Sequence, residues 1–119
     1  MEKLEKVEEK MKFTLGERIT LLGVLPKETN FVTLKIIKSL ESRLSFSEEE
    51  LKDFEIKVDT RGLNYSWNKE GRKNELEIEF GEKATEIVVE QLKELDKTKK
   101  LTGQHFTIYE KFIGEQKIN

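Results

Sequence analysis

FEIKVDTRGLNYSWNKEGRKNELEIEF, Phe54 to Phe80, carries the clearest alternation in the chain. Phe54, Ile56 and Val58 alternate with Glu55, Lys57 and Asp59. Leu63, Tyr65 and Trp67 alternate with Asn64, Ser66 and Asn68, and Leu76, Ile78 and Phe80 alternate with Glu75, Glu77 and Glu79. A period of two marks strands that bury one face, so the stretch predicts a three-stranded antiparallel meander. Asp59-Thr60-Arg61-Gly62 is its expected first turn, and Asn68 to Asn74, around Gly71, its longer charged loop. Tyr65 and Trp67 fall on the apolar face and are expected in the core. A sheet this small needs a roof.

The flanks supply helices for that roof, and the predicted fold class is α+β in a single domain. Met1 to Lys12 is highly charged, with Leu4, Val7 and Met11 as a thin helical stripe, and reads as a charged helical arm. Thr14 to Leu25 has Leu15, Ile19, Leu22 and Val24/Leu25 on one face, Thr14 and Glu17 as a capping box, and Pro26 as its stop. In Phe31 to Leu44 the expected buried stripe is Phe31, Leu34, Ile37, Leu40 and Leu44, whether the helix begins at Phe31 or, after a short strand, at Thr33. Ser47 and Glu50 form a second capping box before Glu48 to Asp53, with Phe46 and Leu51 as its staple. Beyond the meander, Glu82 to Lys97 reads as a long amphipathic helix. Thr102 then caps a last helix whose expected buried edge is Phe106, Tyr109 and Phe112/Ile113. The organisation is thus an arm over 1–12, one domain over 13–113 and a loose tail over 114–119.

Composition narrows the function classes. At 119 residues the chain is long enough for one core. Its net charge of −2 is the small difference of 24 acidic and 22 basic residues, which gives no global drive toward nucleic acid or an acidic membrane. The absence of cysteine removes disulfides, thiolate metal sites and a thiol nucleophile. No apolar run approaches the length of a membrane span, and a cytoplasmic location is expected. With one histidine, His105, the usual nucleophile–base–orienter constellations are missing, and no phosphate-binding glycine loop occurs. Alternating glutamates on one strand are too far apart to share an ion without other ligands. No enzyme activity, cofactor or metal is expected.

Three surfaces remain. Glu75, Glu77 and Glu79 share one strand face, with Glu55 and Asp59 expected on the same side of the sheet and Glu82, Glu86 and Glu90 continuing onto the next helix. This acidic surface suits a basic protein partner. The helical arm's stripe offers a second contact, to a partner or to another copy of the chain. The basic alternative comprises Lys35, Lys38 and Arg43 on one helix and Arg61, Arg72 and Lys73 in the loops. From Leu15 to Trp67 the order helix, turn, helix, short helix, hairpin resembles a winged-helix domain, which implies a DNA-binding transcriptional regulator. The helix that would enter the major groove begins Glu48-Glu49-Glu50, however, and carboxylates repel phosphates.

Leu25-Pro26-Lys27 ahead of Phe31, Phe46-Ser47-Glu48-Glu49-Glu50, Ile78-Glu79-Phe80-Gly81-Glu82-Lys83-Ala84, and the ending Leu101-Thr102-x-x-His105-Phe106-x-x-Tyr109-Glu110-Lys111-Phe112 resemble small proteins encoded by bacteriophages and prophages. The resemblance spans Met11 to Ile113 and implies a viral or prophage setting without a defined activity. The expectation is a non-enzymatic accessory protein in the bacterial cytoplasm that works by binding another protein.

Overall fold

The computed structural model describes residues 9–59 and 64–114. Strand β1 (Glu9–Thr14) leads into helix α1 (Leu15–Val24), followed by α2 (Phe31–Leu44) and α3 (Glu48–Asp53). A hairpin of β2 (Lys57–Asp59) and β3 (Asn64–Ser66) precedes the one-turn helix α4 (Lys69–Lys73), strand β4 (Glu75–Phe80) and helix α5 (Glu82–Lys97). The chain then winds through a 3-10 turn (Gly103–His105), α6 (Phe106–Tyr109) and a π turn (Glu110–Gly114). Leu4, Val7, Arg61, Leu63, the turn at Thr60 to Gly62 and the tail beyond Gly114 lie outside the described residues.

The fold is α+β, but its strands pair differently from the predicted meander. β4 pairs antiparallel with β1, and β2 with β3 alone, giving two two-stranded sheets among the described residues. The last part of the expected helical arm is therefore strand. Lys10-Met11-Lys12-Phe13 has a period of two that a boundary drawn after Lys12 cuts through. In register, Met11 faces Ile78, and Phe13 faces Leu76. Phe13 is fully buried, and burying a side chain of that size stabilises the fold by about 2–3 kcal/mol. The polar positions Lys10 and Lys12 are exposed on the other face.

Asn68 explains why β4 leaves β3. Its side chain accepts from the Gly71 backbone N–H at 2.8 Å, which starts α4 where a loop was expected. Its amide also donates to the Asp53 carbonyl, and its backbone N–H to Phe54, tying the hairpin to the end of α3. Gly71 is buried there, where a side chain would press on its neighbours. A Cβ at this position would lie 3.0 Å from the Phe54 Cβ and 3.1 Å from both Leu15 and Trp67.

The core lies between the inner face of the β1–β4 ribbon and α1, α2, α5 and the last turns. Phe13, Phe80 and Phe112 form its aromatic centre, with ring centroids 5.3–6.1 Å apart. Both predicted capping boxes form. α3 and α5 end alike: Glu55 and Lys99 take positive φ, and the next residues, Ile56 and Lys100, donate back to Leu51 and Leu95. These are Schellman stops, built on residues with a Cβ where glycine is usual.

Two predicted stripes rotate off the core. In α2, Ile37, Leu40 and Leu44 are buried, whereas Phe31 is 73% exposed. At about 100° per residue, nine residues put Phe31 half a revolution from Leu40. A run of three-residue steps drifts round the helix. The ending repeats the effect: Ile108, Phe112 and Ile113 are buried, Tyr109 is half-buried and Phe106 is exposed.

Candidate functional site

The outer face of the β1–β4 ribbon exposes Glu75, Glu77 and Glu79, as the alternation predicts. They are not alone. The register sets Lys12 opposite Glu77 and Lys10 opposite Glu79, and directly opposite residues of an antiparallel pair share a face. The strand is acidic, but the face carries both signs. Glu55 and Asp59 are not brought to this face: Glu55 sits in the turn that stops α3, and Asp59 belongs to the other sheet.

The basic residues on α2 have partners within the protein. Lys35 Nζ stands over the Phe31 ring, Lys38 lies 3.7 Å from Glu41, and Arg43 donates to the Glu79 carbonyl and to Ser39 Oγ. Arg72 and Lys73 are exposed on the last turn of α4. His105 has a structural place too, since its Nδ1 accepts from the Thr102 backbone N–H at 2.9 Å and closes a capping box.

Two buried charges escaped the sequence reading of candidate residues. Arg18 is 1% exposed. Its guanidinium donates to the Leu44 and Ser45 carbonyls and to both oxygens of Glu50, at 2.7–3.1 Å, and stacks over Phe46. One side chain thus joins α1 to the α2–α3 corner. The Arg18 guanidinium holds the Glu50 carboxyl below the usual glutamate range, against the opposing pull of partial burial. The available signal was a cation among Leu15, Leu21, Leu22 and Leu25, inside the apolar stripe.

Glu17 is the second. Burial pushes its carboxyl upward, yet bonds from Lys111, the Thr107 hydroxyl and the Thr14 backbone outweigh it and hold the group below its ordinary value. Lys111 Nζ lies 2.8 Å from Glu17, donates to the Lys12 carbonyl and stands over the Phe13 ring. No local pattern could have signalled a contact between residues 94 positions apart.

Two concavities flank these elements. A groove of about 320 Å³ runs between α2 and α5, with Val32, Ile36 and Ile87 as its apolar lining and Lys83, Glu86 and Glu90 along its edge. Val32 is 69% exposed and adjoins the exposed Phe31. A cleft of about 410 Å³ opens where the start of α1, the hairpin and the last helical turns meet, and Tyr65 and Trp67 line it. Tyr65 is exposed and Trp67 half-buried, so neither is the core residue that the alternation predicts.

Among the described residues no acidic, histidine or cysteine cluster is arranged to hold a metal ion, and no helix is long and apolar enough to cross a membrane. Compared with protein-family models, curated proteins and solved structures, the chain matches none.

Proposed function

We propose that the protein is a non-enzymatic binding module that recognises another protein through the groove between α2 and α5. One observation carries this reading: Phe31 and Val32, adjacent on the first turn of α2, are 73% and 69% exposed. Side chains of this size lying together in water favour a partner. The edge of the groove selects the kind of partner. Glu86 and Glu90 stand one turn apart on α5 beside Ile87, so an amphipathic segment can bury an apolar residue on Ile36 and Ile87 and set a lysine or arginine against the carboxylates. A phage or prophage accessory role, which the sequence resemblance implies, belongs to the same proposal.

The acidic ribbon is the weaker contact because Lys10 and Lys12 stand opposite its glutamates. The winged-helix regulator retains the order α1, α2, α3, hairpin in its support. Against it, the first turn of α3 is Glu48, Glu49 and Glu50, and the α2 cations have partners of their own.

The test compares three baits in bacterial lysate: the wild type, a Phe31→Ser/Val32→Ser variant and a Glu75→Gln/Glu77→Gln/Glu79→Gln variant. A protein retained by the wild type and the triple variant but lost by the double variant is the expected result. Loss with the triple variant alone would move the contact to the ribbon. The same three proteins are then titrated with a DNA duplex at low and physiological salt. Affinity that falls steeply with salt would overturn the proposal in favour of the regulator.

A further inference from the structure

The cleft beside Trp67 is separate from the α2–α5 groove, and its chemistry points to a different kind of ligand. Its volume of about 410 Å³ lies in the range of small-molecule sites, roughly 300–1,000 Å³. One wall is aromatic: Tyr65 and Trp67 stand in it, from and just beyond β3. Gln104 and Thr107 from the last turns, with Glu17 and Thr20 of α1, form its polar lining, or floor.

The hydrogen-bonding capacity of these polar groups leans toward acceptance. The Thr20 hydroxyl donates to the Gly16 carbonyl at 2.9 Å. Its proton is used inside the protein, so its oxygen offers the cleft only lone pairs. The Glu17 carboxylate is likewise an acceptor. Gln104 and the Thr107 hydroxyl are the two of the four that can supply donors. A ligand for this floor must bring several donors.

Charge narrows the class further. Glu17 is matched by Lys111 at 2.8 Å, so the floor presents no unpaired charge to attract an organic cation. An anion would meet the lone pairs of Glu17 and Thr20. What fits is a neutral molecule with several hydroxyl groups and a face of C–H bonds to lie on an aromatic ring. We propose that the cleft binds a neutral sugar ring, with a C–H face against Trp67 and Tyr65, hydroxyls donating to Glu17 and Thr20, and ring or hydroxyl oxygens accepting from Gln104 or Thr107.

Trp67 is the only tryptophan in the chain, so its emission reports on this cleft directly. The full-length protein is titrated with the methyl glycosides of glucose, galactose, mannose and N-acetylglucosamine at millimolar concentrations, with arginine and adenosine monophosphate as cationic and anionic comparisons. The expected result is a saturable change in Trp67 emission with at least one glycoside and none with the two charged ligands. Tyr65→Ala and Gln104→Ala alter exposed positions and are expected to melt with the wild type. Tyr65→Ala should weaken the glycoside by about tenfold, on the scale of one lost aromatic contact. An unchanged emission with every glycoside, in protein shown to be folded by circular dichroism on the same sample, would overturn the proposal. So would a saturable response to arginine or adenosine monophosphate alone, or an affinity indifferent to Tyr65→Ala.

Discussion

A methyl group added at Gly71 and one added at Gly23 meet opposite surroundings. At Gly71 it would press on Phe54, Leu15 and Trp67 at 3.0–3.1 Å, and the first of these contacts is a Cβ that cannot swing away. Gly71→Ala is expected to lower stability by about 1–3 kcal/mol, the usual range for overpacking. At Gly23, exposed within α1, a Cβ meets nothing within 4 Å. Gly23→Ala should raise stability by about 0.5–1 kcal/mol, since alanine holds the helical backbone with less loss of freedom. Urea denaturation of the two variants checks both signs. At this scale the sequence was legible where a residue acts on near neighbours: Thr14 with Glu17, and Ser47 with Glu50, form as their spacing indicates. It was illegible where a side chain reaches across the fold. Arg18 finds Glu50 32 positions away, and nothing local distinguishes it from a surface arginine except the apolar stripe around it.

At the scale of elements, the helices were readable because their limits are written in local chemistry: capping side chains at Thr14, Asn30 and Ser47, and Gly81 ahead of α5. α3 and α5 begin and end at the predicted residues. The strands were readable as strands but not as pairs, because alternation shows which face is buried and not which strand lies alongside. β4 could pair with β3 or with β1, and the one-turn helix that Asn68 starts sends it to β1. The ribbon that results has a testable outer face. Replacing Glu75, Glu77 and Glu79 together with glutamine should leave the fold intact and change stability by no more than about 1 kcal/mol, the scale of cross-strand charge pairs with Lys10 and Lys12. A large fall in melting temperature would show that these side chains do more than face water. The helix stops are a second test. Lys99 holds φ at 61° in a position that suits glycine, so Lys99→Gly is expected to raise the melting temperature by a few degrees, worth about 1 kcal/mol.

For the molecule as a whole, acid is the revealing perturbation. Glu17 and Glu50 both titrate below their ordinary value of 4.5 when folded. A depressed folded value means that the contribution is complete above the unfolded value and is lost as pH falls through the folded one. Stability should therefore hold near neutrality and decline below about pH 4.5. Glu50→Gln should be less stable than the wild type at pH 7 and show a shallower acid decline, so that the two melting curves converge at low pH. Most of the candidate sites were hidden at the sequence level for this same global reason. The groove and the cleft are made by residues from separate elements, and Phe31, Tyr65 and Phe106 looked like core until the packing showed which apolar positions remain uncovered.

The Lys111 side chain closes the molecule on the carbonyl of Lys12, 99 positions earlier. Its consequence is one of timing. During synthesis β1 emerges long before β4, its partner strand among the described residues, and longer still before the lysine that clasps it. Contacts this far apart in sequence slow folding, because a long loop must close before they form. The first strand therefore cannot complete its pairing until β4 has left the ribosome, and until then Met11 and Phe13 lack their ribbon partners Ile78 and Leu76.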